Sequence, residues 1–191
     1  MEEWGLDKTP EGSELKAVTL TIRKLPLRLE SKQMHKKILF FALPSLVVLL
    51  LDQITKSIAV AKLDPREPVE LFWTLQLNLI RNAGASFSIG ENLTPIIATI
   101  AIIASIAIAY LGVVETNLKV KFLFGVVFGG VLGNVTDRIF RKGDGFLSGE
   151  VVDFIDLQWW PIFNFADVAL VIGLPLLLYY RYQVERNLSN G

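Results

Sequence analysis

The sequence predicts an all-α polytopic membrane protein with four transmembrane helices, both termini in the cytoplasm, and strand-forming segments in the loops on the other side. Three observations predict this class. Of the 191 residues, 52% are hydrophobic, and the mean hydropathy is +0.46, too apolar for an ordinary soluble domain. Four apolar runs are each long enough to cross a hydrocarbon core. Lys and Arg gather on one side of those runs.

Residues 1–37 open with MEEWGLDKTPEGSELK, which mixes charges and lacks a sustained apolar face. They read as a flexible or weakly structured cytoplasmic tail. The membrane domain follows over 38–180. Its first span, 38–61, is ILFFALPSLVVLLLDQITKSIAVA. The long polar stretch ahead of it does not suit a cleaved signal peptide. The first outer loop, 62–94, contains PVELFWTLQLNLIRN. There Val69, Leu71, Trp73, Leu75, Leu77 and Leu79 alternate with Glu70, Thr74, Gln76 and Asn78. Period two over 69–80 predicts a strand or hairpin arm.

The second span, 95–112, carries no charge and reads as scaffold. The third, 119–139, repeats Gly125, Gly129 and Gly133 every four residues, a spacing that lets helix backbones approach closely. The adjacent Gly129 and Gly130 also permit a bend. The second outer loop, 140–160, holds GEVVDFIDLQWW, a candidate partner strand. Trp159 and Trp160 suit a membrane interface ahead of the fourth span, 161–180. Residues 181–191 form a short cytoplasmic tail. Arg23, Lys24, Arg28, Lys32, Lys36, Lys37, Lys119, Lys121, Arg181 and Arg186 share one side. Lys62, Arg66, Arg81, Arg138, Arg141 and Lys142 on the other are more dispersed, so the first side is expected to be cytoplasmic.

Several chemistries are excluded or weakened. Formal net charge is zero, so nothing suggests a nucleic-acid partner. The chain has no cysteine, which removes disulfides, thiolate metal sites and a Cys nucleophile. The single histidine, His35, lies among lysines and is a poor member of a Ser–His–Asp triad or zinc site. Neither HExxH nor GxSxG occurs. A Ser–Lys dyad would need Ser86 or Ser88 beside Lys56, and no spacing requires that.

Ionisable residues inside spans are functional candidates. Asp52, Asn134, Asp137, Asn164 and Asp167 all fall in the outer part of their spans, by a rise of ~1.5 Å per residue. Asn134/Asp137 and Asn164/Asp167 are each i,i+3 pairs, expected to share a helix face. Asp52 and Lys56 are i,i+4, which fits a structural ion pair as well as a site. Asp167 has no cation within a turn on its own helix. Two neighbouring carboxylates cannot both ionise cheaply, so one keeps a proton while the other activates a water. Asp153, on the second candidate strand, and Asp167 are candidates for such a pair. Asp156 would face away from Asp153 and reads as a solvated or hydrogen-bonded loop acid. The alternative is a small proton-coupled transporter or channel, which also uses intramembrane carboxylates. A purely structural polar cluster is a third reading.

The motifs LDQITK, RNAGASFS, GGVLGNVTDR, VVDF and FNFADVAL occur in this order over residues 38–180. Together they resemble lipoprotein signal peptidase, also called signal peptidase II. The resemblance implies a bacterial inner-membrane aspartyl endopeptidase acting on diacylglyceryl prolipoproteins and cutting before the lipidated cysteine. It implies four helices with a small extracytoplasmic β-cradle and the active site on that side. The catalytic pair implied is Asp153 and Asp167. Asp52, Asn82, Gly84, Asn134, Asp137, Arg138 and Asn164 are implied as supporting or substrate-binding residues. No metal or organic cofactor is implied. A monomer in the lipid bilayer, sensitive to globomycin-like inhibitors, is expected. Asn82 and Gly84 lie in the turn-prone RNAGAS stretch, where a loop would present Asn82, although a plain Asx turn fits equally. The chain departs from the family in RKGDGFLSGE between Asp137 and Asp153, where a β-hairpin extension is expected. Ser86 stands where Ala is common, and the N-terminal tail is longer than usual.

Overall fold

A computed structural model of the chain describes residues 12–83, 94–143 and 145–190, with side chains from residue 37 onward. Gly84, Ser86 and Ser88 lie outside the described residues. The elements in order are α1 (Gly12–Lys62), β1 (Val69–Phe72), β2 (Leu75–Asn82), α2 (Thr94–Val114), α3 (Leu118–Phe140), β3 (Val151–Asp156) and α4 (Phe165–Ser189). The chain divides into two units, Met1–Ile38 and Leu39–Gly191.

In the first unit the backbone is helical from Gly12, where a weakly structured tail was expected. The stretch is rich in Leu, Lys, Arg and Glu, all good helix formers.

Four helical stretches among the described residues are long and apolar enough to cross a membrane: Lys37–Lys62, Thr94–Val114, Leu118–Phe140 and Phe165–Ser189. The first three match the expected spans to within about two residues, the normal uncertainty of helix ends. The fourth begins later than expected, at Phe165, and runs past the expected end. Its start is displaced because Asn164 is the N-cap rather than a residue inside the helix. Asn117 caps α3 in the same way, accepting from the Lys119 and Val120 amides.

The glycine repeat of α3 packs helices, as its spacing predicts. A Cβ on Gly125 would meet the Phe41 carbonyl at 2.3 Å, and one on Gly129 the Ser45 carbonyl at 2.6 Å. Gly130 instead faces α4, where its Cβ would lie 2.8 Å from the Ala166 carbonyl. The adjacent glycines thus serve two partner helices, and α3 stays helical throughout. Phe41, Val120, Phe124, Val127 and Leu177 fill an apolar layer between α1, α3 and α4.

The sheet lies at the bundle end where α1 and α3 finish and α2 and α4 begin, in the order β1-β2-β3, all antiparallel. A tight turn at Trp73, with φ 52°, reverses the chain. Residues 69–80 are therefore a hairpin, and the alternating row does not lie on one strand. Leu79, Val152 and Phe154 bury one sheet face against Ala59 of α1. Between Leu77 and Ile80 the β2–β3 register slips by a bulge: Leu77 faces Ile155, but Ile80 faces Asp153. The 142–150 segment contains no strand among its described residues. It is a turn-rich loop instead of the expected hairpin extension, with Gly143 pressed against the Ser148 carbonyl.

Candidate active site

Phe163 brings the two central carboxylates together. It bridges back to Ile155 on β3, donating to the Ile155 carbonyl at 3.0 Å and accepting the Phe154 and Ile155 amides. Asn164 follows it and therefore sits beside Asp153. Its Nδ2 donates to Asp153 Oδ1 at 2.7 Å, and its backbone N–H donates to Asp167 Oδ2 at 3.2 Å. Its own Oδ1 accepts the Asp167 amide at 3.1 Å, completing a capping box. The i,i+3 spacing of Asn164 and Asp167 is thus a cap, not a shared helix face. One residue joins both acids.

The other supporting amides complete the arrangement. Asn134 donates to Asp167 Oδ1 at 2.8 Å and accepts from Asn164 at 3.1 Å. Asn82 donates to Asp153 Oδ2 at 3.1 Å. It does so as the last residue of β2, not from a loop. The bulge explains how: Gln76 and Asn78, ahead of it, reach Asp156, while Asn82, beyond it, reaches Asp153. One extra residue shifts the pleat by one and moves Asn82 to the opposite face. Among the described residues, Asp167 finds its partners in Asn134 of α3 and in its own cap rather than in a cation.

Asp153 is 4% exposed. Burial pushes its carboxyl up to about 6; the Asn82 and Asn164 hydrogen bonds lower it, and the Asp167 charge raises it. Asp156 is also buried, at the end of β3, so of its two readings, solvated or hydrogen-bonded, the second holds. Burial raises its proton affinity. The hydrogen bonds from Gln76, the Gln158 amide and Asn78 outweigh that and hold it below the ordinary range. It lies on the strand face away from Asp153.

Asp52 and Asp137 are both fully buried. Lys56 reaches Asp52 at 2.9 Å and Asp137 at 3.0 Å, and Arg141 reaches Asp137 at 2.6 Å. The Asp52–Lys56 ion pair exists, but as part of this larger cluster. Gln53 also donates to the Gly133 carbonyl at 3.0 Å and to Asp137 at 3.1 Å. Gln53 and Arg141 were missed in the sequence. The signals were Gln53's place three residues before Lys56 on one helix face, and Arg141's i,i+4 spacing from Asp137. Arg138 donates to the carbonyls of Asn82 and Gly149, both at 2.9 Å. It therefore fixes the end of β2 and the approach to β3.

A cavity of about 270 Å³ opens onto these groups. Asn82, Asn134, Arg138, Asp153 and Asp167 line its polar side, and Ile97, Ala98, Ala101, Ala104, Val131 and Leu170 its apolar side. The apolar layer around Phe41, Phe124 and Leu177 lies farther along the bundle, which does not fit a conducting path.

Fold and site together define a polytopic membrane protein with a paired-carboxylate centre where its helices meet a small sheet. The family described as signal peptidase (SPase) II matches residues 45–183. A lipoprotein signal peptidase of Rhodococcus jostii (strain RHA1) is 38% identical over 145 residues, 75% of this chain and 72% of that protein. One from Streptomyces coelicolor is 44% identical over 131 residues, 68% of this chain and 63% of that protein. A solved bacterial membrane enzyme shares the fold with a TM-score of 0.65 at 31% identity, covering 80% of this chain and 91% of that one. The chain belongs to the signal peptidase II family. That is a family of membrane proteases that remove signal peptides from prolipoproteins.

Proposed function

We propose that the chain is an aspartic endopeptidase of the bacterial inner membrane, with Asp153 and Asp167 as its catalytic pair. Its substrate is a diacylglyceryl-modified prolipoprotein, cut just before the lipidated cysteine. The observation that carries this reading is the joint hold of Asn164 on both carboxylates. Two carboxyls so joined can divide the work, one acting as base and the other as acid.

The ionised carboxylate takes a proton from a water as the water oxygen attacks the scissile carbonyl carbon. The protonated partner gives its proton to the carbonyl oxygen, forming a neutral tetrahedral diol. The C–N bond then breaks, the leaving nitrogen gains a proton, and the pair returns to its starting state. Asn82, Asn134 and Asn164 hold the pair, and Arg138 orders the backbone around it. The apolar wall of Ala98, Ala101 and Ala104 suits a signal helix entering from lipid, with the acyl chains left in the bilayer. The active site faces the extracytoplasmic side and both termini the cytoplasm, as the Lys and Arg distribution supports. A globomycin-like peptide would occupy the same cavity, and the protein acts as a monomer.

Asp153→Asn and Asp167→Asn test the pair, with cleavage of a diacylglyceryl prolipoprotein as the readout. Both variants should accumulate folded in membranes and lose cleavage. Retained cleavage in either would sink the assignment.

A further inference from the structure

The charged cluster beside the pair follows a pattern. Asp52 Oδ1 accepts the Ala166 N–H at 2.9 Å, and Ala166 immediately precedes Asp167. Asp137 Oδ2 accepts the Val152 N–H at 3.1 Å, and Val152 immediately precedes Asp153. Each of these carboxylates therefore anchors the backbone one residue ahead of one member of the pair. Lys56 joins the two anchors, with Nζ 2.9 Å from Asp52 Oδ2 and 3.0 Å from Asp137 Oδ2. Its third donor goes to Asn134 Oδ1 at 3.0 Å. An ammonium has three donors and no acceptor, so the three contacts use its full capacity. With its oxygen held by Lys56, Asn134 has its Nδ2 directed at Asp167.

We infer that Lys56 is a positioning residue that sets the separation and orientation of Asp153 and Asp167 by tying together the two carboxylates that anchor their backbones. The inference rests on reading those two aspartates as the catalytic pair. β3 and α4 follow one another in the chain, and this cluster, built on α1 and α3, is a shared reference for both. A compact ammonium suits the task because all three bonds leave one atom. An arginine fork would spread them over a larger plane. Asp137 has a second cation in Arg141, at 2.6 Å. Lys56 is therefore not the only source of charge balance, and a role in neutralisation can be separated from a role in placement.

That separation defines the test, made on the full chain in membranes with kcat, KM and pH–rate profiles for a diacylglyceryl prolipoprotein. Lys56→Met removes the tie but leaves Asp52 buried without a cation. The double variant Asp52→Asn with Lys56→Met removes the tie while the charges stay balanced, since the new Asn can still accept the Ala166 N–H. In the double variant kcat should fall roughly 100-fold, the cost of misplacing reacting groups by about 1 Å, with KM little changed. Its pH–rate profile should also move, because the two aspartates meet at a different distance. If Lys56→Met fails to accumulate, the double variant alone decides. Wild-type kcat and pH profile in the double variant would overturn the inference, leaving Lys56 a charge neutraliser. A fall in protein level with an unchanged profile in the surviving enzyme would overturn it as well. Asp153→Asn and Asp167→Asn run alongside. If either still cleaves, the pair itself falls. If both are inactive while the double variant is normal, only the role of Lys56 falls.

Discussion

Replacing Asn164 probes the site most sharply, because its fully buried side chain performs two separable tasks. It caps α4 through the Asp167 amide and donates to Asp153 and Asn134. Asn164→Ala removes both. Loss of the cap costs about 1 kcal/mol, the bond to the Asp153 carboxyl about 2 kcal/mol and the amide–amide bond about 1 kcal/mol. The bonds share one side chain and are not independent, so about 4 kcal/mol is a ceiling. Asn164→Asp keeps the cap, since Asp serves an N-cap as well as Asn does. It replaces the donor 2.7 Å from Asp153 Oδ1 by a second carboxylate. Two such groups cannot both ionise, so Asp153 should hold its proton to still higher pH. The assays are unfolding free energy in mixed micelles and prolipoprotein cleavage across pH. Asn164→Ala should be destabilised and lose cleavage roughly 100-fold. Asn164→Asp should be closer to wild type in stability at acidic pH, yet slow, with the upper limb of its pH–rate profile moved upward. Folded Asn164→Ala cleaving at the wild-type rate would refute the idea that this residue places the pair.

The remaining predictions concern single contacts. Asn82→Ala removes a hydrogen bond that lowers the Asp153 proton affinity, so the upper limb of kcat/KM should move to higher pH; an unmoved or lowered limb counts against the contact. Any stability that Asp153 confers in its protonated form is fully present below the ordinary carboxylate range and is lost as pH rises through about 6. Gly133→Ala places a Cβ 2.5 Å from Asp52 Oδ2 and 2.9 Å from Ala166 Cβ, and should cost about 1–3 kcal/mol by overpacking, measured as reduced unfolding free energy. Asp156→Ala strands the donors of Gln76, Asn78 and the Gln158 amide; it should lower stability by about 1–3 kcal/mol with kcat preserved. Since Asp156 binds its proton less tightly when folded, its contribution is present above the ordinary carboxylate range and lost as pH falls through its lowered value.

Much of this was legible in the chain because membrane proteins obey strong one-dimensional rules. A run of about twenty apolar residues has few alternatives to a spanning helix. A glycine every fourth residue marks a face where backbones meet, and Gly125 and Gly129 met α1. Polar residues at one depth of such spans pointed to Asp52, Asn134, Asp137, Asn164 and Asp167, which the structure brings together; Asn82 came from the motif resemblance, and it reaches Asp153. Spacing failed wherever the period was interrupted. Alternation placed Leu71 and Leu75 on one strand, but a turn at Trp73 separates them. Helical spacing joined Asn164 to Asp167, but the pair straddles the helix start. Turn-prone composition put Asn82 in a loop, but it ends β2, and a single bulge turns it to Asp153. Spacing left Asp156 either solvated or hydrogen-bonded, because two of its partners lie on another strand, about eighty residues away.

Composition and motif order thus established the spans, the helix-packing glycines and the identity of the polar residues. Which donor meets which carboxylate was settled only when α1, α3, β3 and α4 packed together. Lys56, Asp52 and Asp137 show the physical reason. Spacing within one helix can suggest a pair such as Asp52 and Lys56. The bonds from Asp52 to Ala166 and from Asp137 to Val152 join elements whose separation depends on how tightly Gly129, Gly130 and Gly133 let the helices close.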